Sequence, residues 1–206
     1  MQSLASHPKV APVQLRTERG IIVDREIERK YTVSNIPRDL EKYPHVEIFQ
    51  AYIKITDPAE WNEIAEAYFQ RHPWVREMGT GCLRVRKKGD KYILTVKKRV
   101  DQSTREERYE AENKDLTEAQ FKKFRDRAGD FALEKTRYMI PYKGLVIELD
   151  IYKGKLAGHM VAEVEFTSKE EGMKFTPPDW FGKNVTDDDR YSNKTLAKEQ
   201  KIPDNN

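Results

Sequence analysis

The sequence has a single cysteine, Cys82, among its 206 residues. An internal disulfide is therefore excluded, and the composition suits a reducing compartment, so we expect a cytoplasmic protein. Long hydrophobic runs are also missing, since no stretch approaches the roughly 20 apolar residues that a membrane helix needs. The first residues contain no continuous apolar segment either, so the sequence predicts neither a signal peptide nor a membrane partner.

A strong net charge is missing as well. The 38 Lys and Arg residues nearly balance the 35 Asp and Glu residues, which leaves a formal charge of +3. Proteins that bind nucleic acid through a basic surface carry a clear positive excess, so we do not expect a nucleic-acid partner, although an RNA 5′ end stays open. Ten Tyr, eight Phe and three Trp are enough to build a core, and the length fits one domain.

The order of the predicted elements favours an α+β domain, in which antiparallel hairpins alternate with helices. Strands are predicted at 21–33, 46–55, 82–88, 91–99, 105–113, 133–140, 145–152 and 160–167. Helices are predicted at 57–72, 117–129, directly after Ser168, and at 188–200, mostly from capping residues and helical spacing of apolar residues. The domain is predicted to span 21–200, preceded by a flexible arm at 1–20.

Charged side chains fall on one face of nearly every predicted strand, because side chains alternate between faces with a period of two. Arg84 and Arg86, for example, flank Val85. The eight acids of this charged face are Glu26, Glu28, Glu110, Glu112, Glu148, Asp150, Glu163 and Glu165. Its seven bases are Lys30, Arg84, Arg86, Lys97, Arg108, Lys135 and Arg137.

A solvent-exposed sheet face would explain this alternation in any one strand. Seven strands carry charge on this face, and paired like charges recur on six of them. This recurrence is more than a solvent-exposed face explains, because like charges side by side are unfavourable unless an opposite charge lies between them. Paired carboxylates suit a divalent cation, and paired Arg and Lys suit phosphate. Acid pairs and base pairs on the same face together indicate a site that binds a metal–phosphate complex. If the sheet closes into a barrel with its helices outside, this face lines a hydrated or ligand-filled lumen.

Eight motifs on these strands resemble those of the CYTH superfamily, the triphosphate tunnel metalloenzymes. Glu26-Ile27-Glu28-Arg29-Lys30 has the ExExK pattern of that family, and Gln50-Ala51-Tyr52 resembles its QGY strand. The others are Arg84-Val85-Arg86 (RxR), Leu94-Thr95-Val96-Lys97 (LTxK), Arg108-Tyr109-Glu110-Ala111-Glu112 (RxExE), Lys135 with Arg137 (KxR), Glu148-Leu149-Asp150 (ExD) and Glu163-Val164-Glu165-Phe166 (ExEF). Near the C-terminus, Arg190-Tyr191-Ser192-Asn193 resembles the corresponding segment of bacterial members.

The resemblance implies an eight-stranded antiparallel barrel that binds a small-molecule triphosphate with Mg²⁺ or Mn²⁺. Bacterial members with this C-terminal pattern are most similar to inorganic triphosphatases, so the expected reaction is metal-dependent hydrolysis of the terminal phosphoanhydride of tripolyphosphate. The alternatives are a nucleoside or thiamine triphosphatase, a class IV adenylate cyclase, and a non-enzymatic module that binds polyphosphate or RNA ends. The sequence does not specify an oligomeric state.

The resemblance also assigns roles to residues. The expected catalytic residues are Lys30, Glu28 and Tyr52, and the expected phosphate-binding residues are Arg84, Arg86, Lys97, Lys135 and Arg137. The expected metal ligands are Glu26, Glu28, Glu163 and Glu165. Further candidates are Glu110, Glu112, Glu148, Asp150, Arg108 and Arg190, the last of which could equally be an exposed surface residue.

Three features depart from the family pattern. The arm before residue 21 is longer than in simple bacterial members, and Ala51 replaces the usual glycine. The predicted helix at 57–72 is an insertion that could cover a mouth of the tunnel or form a partner surface. Its aromatic residues, Trp61, Tyr68 and Phe69, are expected to be buried packing rather than a stacking platform.

Overall fold

The structure is a computed structural model that describes residues 13–16 and 22–204. Within these ranges the chain forms ten strands and five α-helices. The strands are β1 (Val13–Arg16), β2 (Ile22–Val33), β3 (His45–Ile55), β4 (Gly81–Lys88), β5 (Lys91–Arg99), β6 (Glu107–Asn113), β7 (Ala132–Tyr142), β8 (Leu145–Tyr152), β9 (Met160–Phe166) and β10 (Phe181–Asn184). The helices are α1 (Pro58–Tyr68), α2 (Pro73–Glu77), α3 (Glu118–Ala128), α4 (Lys169–Lys174) and α5 (Asn193–Glu199).

Eight of the strands close into an antiparallel barrel. Their order is β2, β6, β5, β4, β3, β7, β8 and β9, after which β9 pairs with β2 again. Closure depends on the length of β2, which pairs with β6 over Asp24–Ile27 and with β9 over Ile27–Thr32. The predicted α+β class and the predicted eight-stranded barrel are therefore confirmed.

Two short strands extend the barrel outside this ring. β1 pairs with the start of β2, and β10 pairs with its end at Tyr31 and Val33. β1 lies inside the segment predicted to be a flexible arm, and the rest of that arm, residues 1–12 and 17–20, lies outside the described residues. β10 was not predicted, because Phe181–Asn184 is only four residues long and has no clear apolar alternation.

The insertion between β3 and β4 folds as two helices packed on the outside of the barrel. Asp57 caps α1, and its carboxylate accepts a hydrogen bond from the backbone N–H of Ala59. The prediction of one helix that ends at His72-Pro73 is wrong, because α1 ends at Tyr68 and Pro73 begins α2. Proline is as well suited to the first turn of a helix as to stopping one.

Trp61 attaches the insertion to the barrel, as the predicted buried packing requires. Its side chain is fully buried, and its indole N–H donates to the backbone oxygen of Val75 at 2.7 Å. The ring lies against Gly81 at the start of β4, where any Cβ would approach it within 2.5 Å. Phe69 is buried beside it, whereas Tyr68 is partly buried at the edge of the same cluster.

The C-terminal segment was predicted as one helix over 188–200, and this is also wrong in detail. A single 3₁₀ turn at Asp189–Tyr191 comes first, and α5 follows. Ser192 separates the two because its hydroxyl caps α5 by accepting from the N–H of Thr195 at 3.1 Å. Leu196 and Ala197 are buried against the barrel, so the start of α5 is held beside the lumen. No helix in the described part of the chain is long and apolar enough to cross a membrane.

Candidate active site in the barrel lumen

The barrel encloses a cavity of about 750 Å³ that is lined mainly by charged side chains. Thirteen Lys and Arg residues contribute to its wall, against eight Asp and Glu residues. This positive excess is larger than the +3 of the whole chain, so the remainder of the sequence is net acidic. The lumen therefore concentrates the positive charge of the protein in one place, which favours a small polyanion as its occupant.

Most residues of the charged face that the sequence predicts reach this cavity. Those that line it are Glu26, Glu28, Lys30, Arg84, Arg86, Lys97, Arg108, Glu110, Glu112, Lys135, Arg137, Glu148, Glu163 and Glu165, and the expected catalytic residue Tyr52 lines it as well. Asp150 does not line it and lies fully buried behind Lys135 and Arg137. Arg190 does not line it either, because its guanidinium pairs with Asp188 and is more than half exposed.

Three carboxylates meet at the seam where β2 joins β9. Glu26, Glu28 and Glu165 offer oxygen atoms that all lie within 4.8 Å of one another. Burial and the neighbouring carboxylates of Glu148 and Glu26 raise the pKa of Glu165 well above its ordinary value. A cluster of this kind is stable when a proton or a cation offsets the repulsion, and three oxygen ligands of this type suit a hard divalent cation.

The bases nearest to this cluster contact two of its members. Lys97 donates to both carboxylate oxygens of Glu26, at 2.5 and 2.8 Å. Arg108 lies 3.3 Å from Glu26 and also forms an ion pair with Glu28. Glu165 has no ion pair among the residues that the structure describes, and it is the acid of the cluster with the least charge compensation.

Glu163 lies opposite Lys30 on the same wall but is held differently. Its carboxylate accepts from the ammonium of Lys30 at 2.8 Å and from the guanidinium of Arg137 at 2.7 Å. Burial alone would raise the pKa of Glu163, but these two cations outweigh it and hold the pKa well below the ordinary value. Glu163 is therefore a charged anchor for two bases, separate from the group of three acids.

Lys135 and Arg137 share the buried carboxylate of Asp150. Lys135 donates to it at 2.5 Å, and Arg137 makes a two-pronged contact with both oxygens at 2.6 Å. Burial lowers the pKa of Lys135 to about 8 even though Asp150 opposes the change. Arg137 also pairs with Glu148, so its guanidinium is fixed by three carboxylates.

On the far wall, Arg84 contacts acids of the adjacent strand β6. It donates to Glu110 at 3.0 Å and lies 3.7 Å from Glu112. Burial would raise the pKa of Glu112, but Arg86 and Arg84 lower it to about 2. Glu112 is thus negatively charged at neutral pH.

Arg86 differs from the other bases of the lumen. Within the described ranges it has neither an ion pair nor a hydrogen bond to its guanidinium, and its Nε is buried without a partner. Burial first and then the positive charge of Arg84 lower the pKa of Arg86 below the ordinary value. The negative charges of Glu112 and Glu110 offset this cost only in part, so an anion in the cavity would relieve it.

Tyr52 lies on the same side as Arg84 and is nearly buried. Its hydroxyl accepts a hydrogen bond from the amide of Gln50 at 2.9 Å, and its ring packs against Phe131. Burial raises the pKa of Tyr52 to about 12, so its hydroxyl keeps its proton at neutral pH and can donate it in a hydrogen bond.

The structure also brings residues to the lumen that the sequence reasoning did not select. Thr95 and Gln50 lie in the charged-face register but are uncharged, so a search for charge alone passes over them. Asn193 reaches the cavity from the first turn of α5. The Arg190-Tyr191-Ser192-Asn193 motif is the signal that could have identified it.

A closed antiparallel barrel with a lumen of cations and a three-acid cluster defines a tunnel for a phosphorylated anion and a metal. No family model matches the sequence. The chain is 35% identical to the inorganic triphosphatase of Nitrosomonas europaea over 174 residues, which are 84% of this chain and 96% of that protein. A second inorganic triphosphatase, from Acetivibrio thermocellus, is 39% identical over 66 residues, which are 32% of this chain and 41% of the relative.

The comparison with solved structures agrees with the comparison of sequences. The crystal structure of the inorganic triphosphatase NE1496 superimposes with a TM-score of 0.54 at 31% identity, and the match covers 87% of this chain and 97% of that one. Together with the 35% sequence identity over most of both chains, this similarity shows the family of the protein. The chain belongs to the CYTH superfamily, the triphosphate tunnel metalloenzymes.

Proposed function

We propose that this protein hydrolyses the terminal phosphoanhydride of inorganic triphosphate inside the barrel lumen. The observation that carries the proposal is the concentration of thirteen bases around one cavity in a chain whose net charge is only +3. The names of the two related proteins, both inorganic triphosphatases, support the choice of substrate. Tripolyphosphate is a compact polyanion without an apolar group, which suits a lumen lined mainly by charge.

The phosphate oxygens are held by the bases of the lumen. We assign this role to Arg84, Arg86, Lys97, Lys135 and Arg137, with Lys30 beside them. Arg86 gains most from a bound anion, because no ion pair within the described residues already engages its guanidinium. The other bases already contact carboxylates, which orient their remaining N–H groups and keep them in place before substrate arrives.

The acids hold the divalent cation, which we propose to be Mg²⁺ or Mn²⁺. Glu26, Glu28 and Glu165 are the ligands favoured by their mutual distances, and Glu163 is the neighbour that positions Lys30. The raised pKa of Glu165 supports a cation here, because the three acids repel one another when nothing offsets their charge. When bound, the cation neutralises charge on the transferring phosphoryl group.

The remaining steps use the side chains of this chain. Tyr52 offers a neutral O–H donor, while Gln50 fixes its oxygen from the other side. We propose that this hydroxyl orients the attacking water or a phosphate oxygen, in line with the terminal phosphorus. Lys30, held by Glu163 at 2.8 Å, stabilises the negative charge that develops on the phosphoryl group. Arg108 forms an ion pair with Glu28 and so orients this carboxylate beside the other proposed ligands.

Phosphate release from tripolyphosphate and from ATP, measured side by side with Mg²⁺ or Mn²⁺, tests the proposal. We expect fast metal-dependent release from tripolyphosphate and little from ATP. Chromatography of the ATP products separates the alternatives, because cyclic AMP with pyrophosphate would indicate a cyclase and ADP with phosphate a nucleotidase. No turnover of tripolyphosphate with either metal would overturn the proposal. We also propose a cytoplasmic location, which the single cysteine supports.

A further inference from the structure

The two most buried lysines of the lumen both contact the segment that ends the chain. Lys30 donates from Nζ to the backbone oxygen of Tyr191 at 3.1 Å, and Lys135 donates from Nζ to Oδ1 of Asn193 at 3.2 Å. Lys135 is only 1% exposed, so nearly all of its contacts are with protein atoms. The C-terminal segment therefore forms part of the wall that surrounds both ammonium groups.

Asn193 makes a second contact through the same oxygen atom. The hydroxyl of Tyr152 donates to Oδ1 of Asn193 at 2.5 Å, and Tyr152 itself is 2% exposed at the end of β8. The Lys135 ammonium lies 5.4 Å from the centre of the Tyr152 ring. Three side chains from β7, β8 and α5 thus meet at one amide oxygen.

The helix start keeps this oxygen in place. Asn193 is the first residue of α5, and the Ser192 cap fixes the backbone immediately before it. Leu196 and Ala197, one turn further on, are buried in the core and prevent the helix from shifting. Asn193 is therefore rigidly presented to the lumen, although most of α5 lies outside it.

Lysine has three N–H donors on its ammonium group. In Lys135 one points to Asp150 and one to Asn193, which leaves one for a ligand in the cavity. Without Asn193, the ammonium would keep one charged partner and could turn towards Asp150. We propose that Asn193, supported by the Tyr152 hydroxyl, is a positioning residue that aims the ammonium of Lys135 at the triphosphate. This inference rests on the proposed function, in which Lys135 binds phosphate.

Asn193 suits this task because it is neutral. The charged and titratable groups around Lys135 are Asp150 and Tyr152 from β8, Arg137 from β7 and Glu163 from β9. An amide oxygen supports the ammonium without adding another negative charge to this balance. Its loss would leave a buried ammonium with one acceptor fewer, which disfavours the charged form.

Kinetics of tripolyphosphate hydrolysis in four variants test the inference. Asn193→Ala should lower kcat/KM about tenfold or more, and Tyr152→Phe should lower it less, because the second change leaves the Lys135 contact in place. The double variant should be no worse than Asn193→Ala alone, since both act through one oxygen. Lys198→Ala is the matched control, because Lys198 lies on the same helix, is exposed and pairs only with Glu199 in the described part of the chain.

A second measurement works without substrate and separates this inference from the proposed function. NMR titration of the Lys135 side chain, in protein labelled at the lysine ε-carbon, follows the pKa that burial lowers to about 8. Asn193→Ala should lower this pKa by about one pH unit, and Lys198→Ala should leave it unchanged. If wild-type protein does not hydrolyse tripolyphosphate but the pKa moves as expected, the proposed function fails and the contact stands. Unchanged kinetics with an unchanged pKa, or losses that only follow a lower Tm, would overturn the inference.

Discussion

Glu28 on β2 and Glu165 on β9 lie directly opposite each other in the register that closes the barrel. Like charges opposite one another across two strands are destabilising, and Glu26 brings a third carboxylate within 4.8 Å. The seam between β2 and β9 therefore brings three mutually repelling acids together. The apolar packing on the outer face of the barrel keeps these three carboxylates together despite their repulsion. A cation bound in the lumen would relieve this repulsion.

Glu165→Gln should separate metal binding from folding. The change removes one negative charge from the cluster, so we expect an equal or higher Tm in metal-free protein and loss of the Tm increase that Mg²⁺ or Mn²⁺ produces. Turnover should fall by at least about 100-fold, because several kcal/mol of charge stabilisation is lost. Thermal unfolding with and without each metal checks this, with Glu63→Gln on the exposed side of α1 as the control. An undiminished metal response in Glu165→Gln would remove it from the ligand set.

Arg86→Ala should weaken substrate binding without loss of stability. Within the described residues its guanidinium has no direct ion pair, and burial together with Arg84 disfavours its charge more than Glu112 and Glu110 favour it. The variant therefore loses no direct contact and removes a cation that is costly to keep. We expect an unchanged or higher free energy of unfolding and a KM for tripolyphosphate that rises about tenfold or more. Urea unfolding and steady-state kinetics measure both, with Arg76→Ala on α2 as an exposed control. An unchanged KM would exclude Arg86 from the binding site.

Arg137→Ala, unlike Arg86→Ala, should strongly lower the stability of the fold. The guanidinium contacts Asp150, Glu148 and Glu163, and Asp150 is fully buried. Removal leaves buried carboxylates without their main partner, which costs about 3–5 kcal/mol of unfolding free energy. Arg137→Lys keeps the charge but not the two-pronged contact, so its unfolding free energy should lie between those of the wild type and Arg137→Ala. Equal urea midpoints for Arg137→Ala and Arg86→Ala would contradict this account of the lumen.

His159 should make stability fall in mild acid. The ring is buried between Tyr152 and Tyr191, and burial together with the positive charge of Lys30 lowers its pKa to about 4. Between about pH 6.5 and 4 the unfolded chain binds a proton at His159 that the folded chain does not, so stability decreases as the pH falls through this range. His159→Phe keeps the ring contacts but cannot titrate, and it should flatten this part of the profile. Denaturant unfolding of the wild type and His159→Phe at pH 7, 5.5 and 4.5 measures this. If stability falls equally with pH in both proteins, His159 is not the cause of the decrease.

Local signals in the sequence predicted much of the fold. Thr117 and Gln120 form the expected capping box at the start of α3, and Ser168 caps α4 through the N–H of Glu171. The alternation along each strand correctly separated the inward charged face from the outward apolar face. These signals are local, because a cap or a two-residue period depends only on neighbouring residues. The insertion shows the limit of such signals, since Pro73 could equally end one helix or begin another.

The sequence by itself determined the type of side chain in the lumen: paired acids and paired bases on strands that bury their other face. Only the tertiary structure decided how these charges combine. It joined Glu165 with Glu26 and Glu28, and it held Glu163 with Lys30 and Arg137. It also left Arg86 without a direct ion pair among the described residues and brought Asn193 to Lys135, 58 residues away in sequence. The physical reason is that alternation is a property of each strand alone, whereas partners across a lumen depend on strand register, on closure of β2 with β9, and on where the C-terminal helix packs.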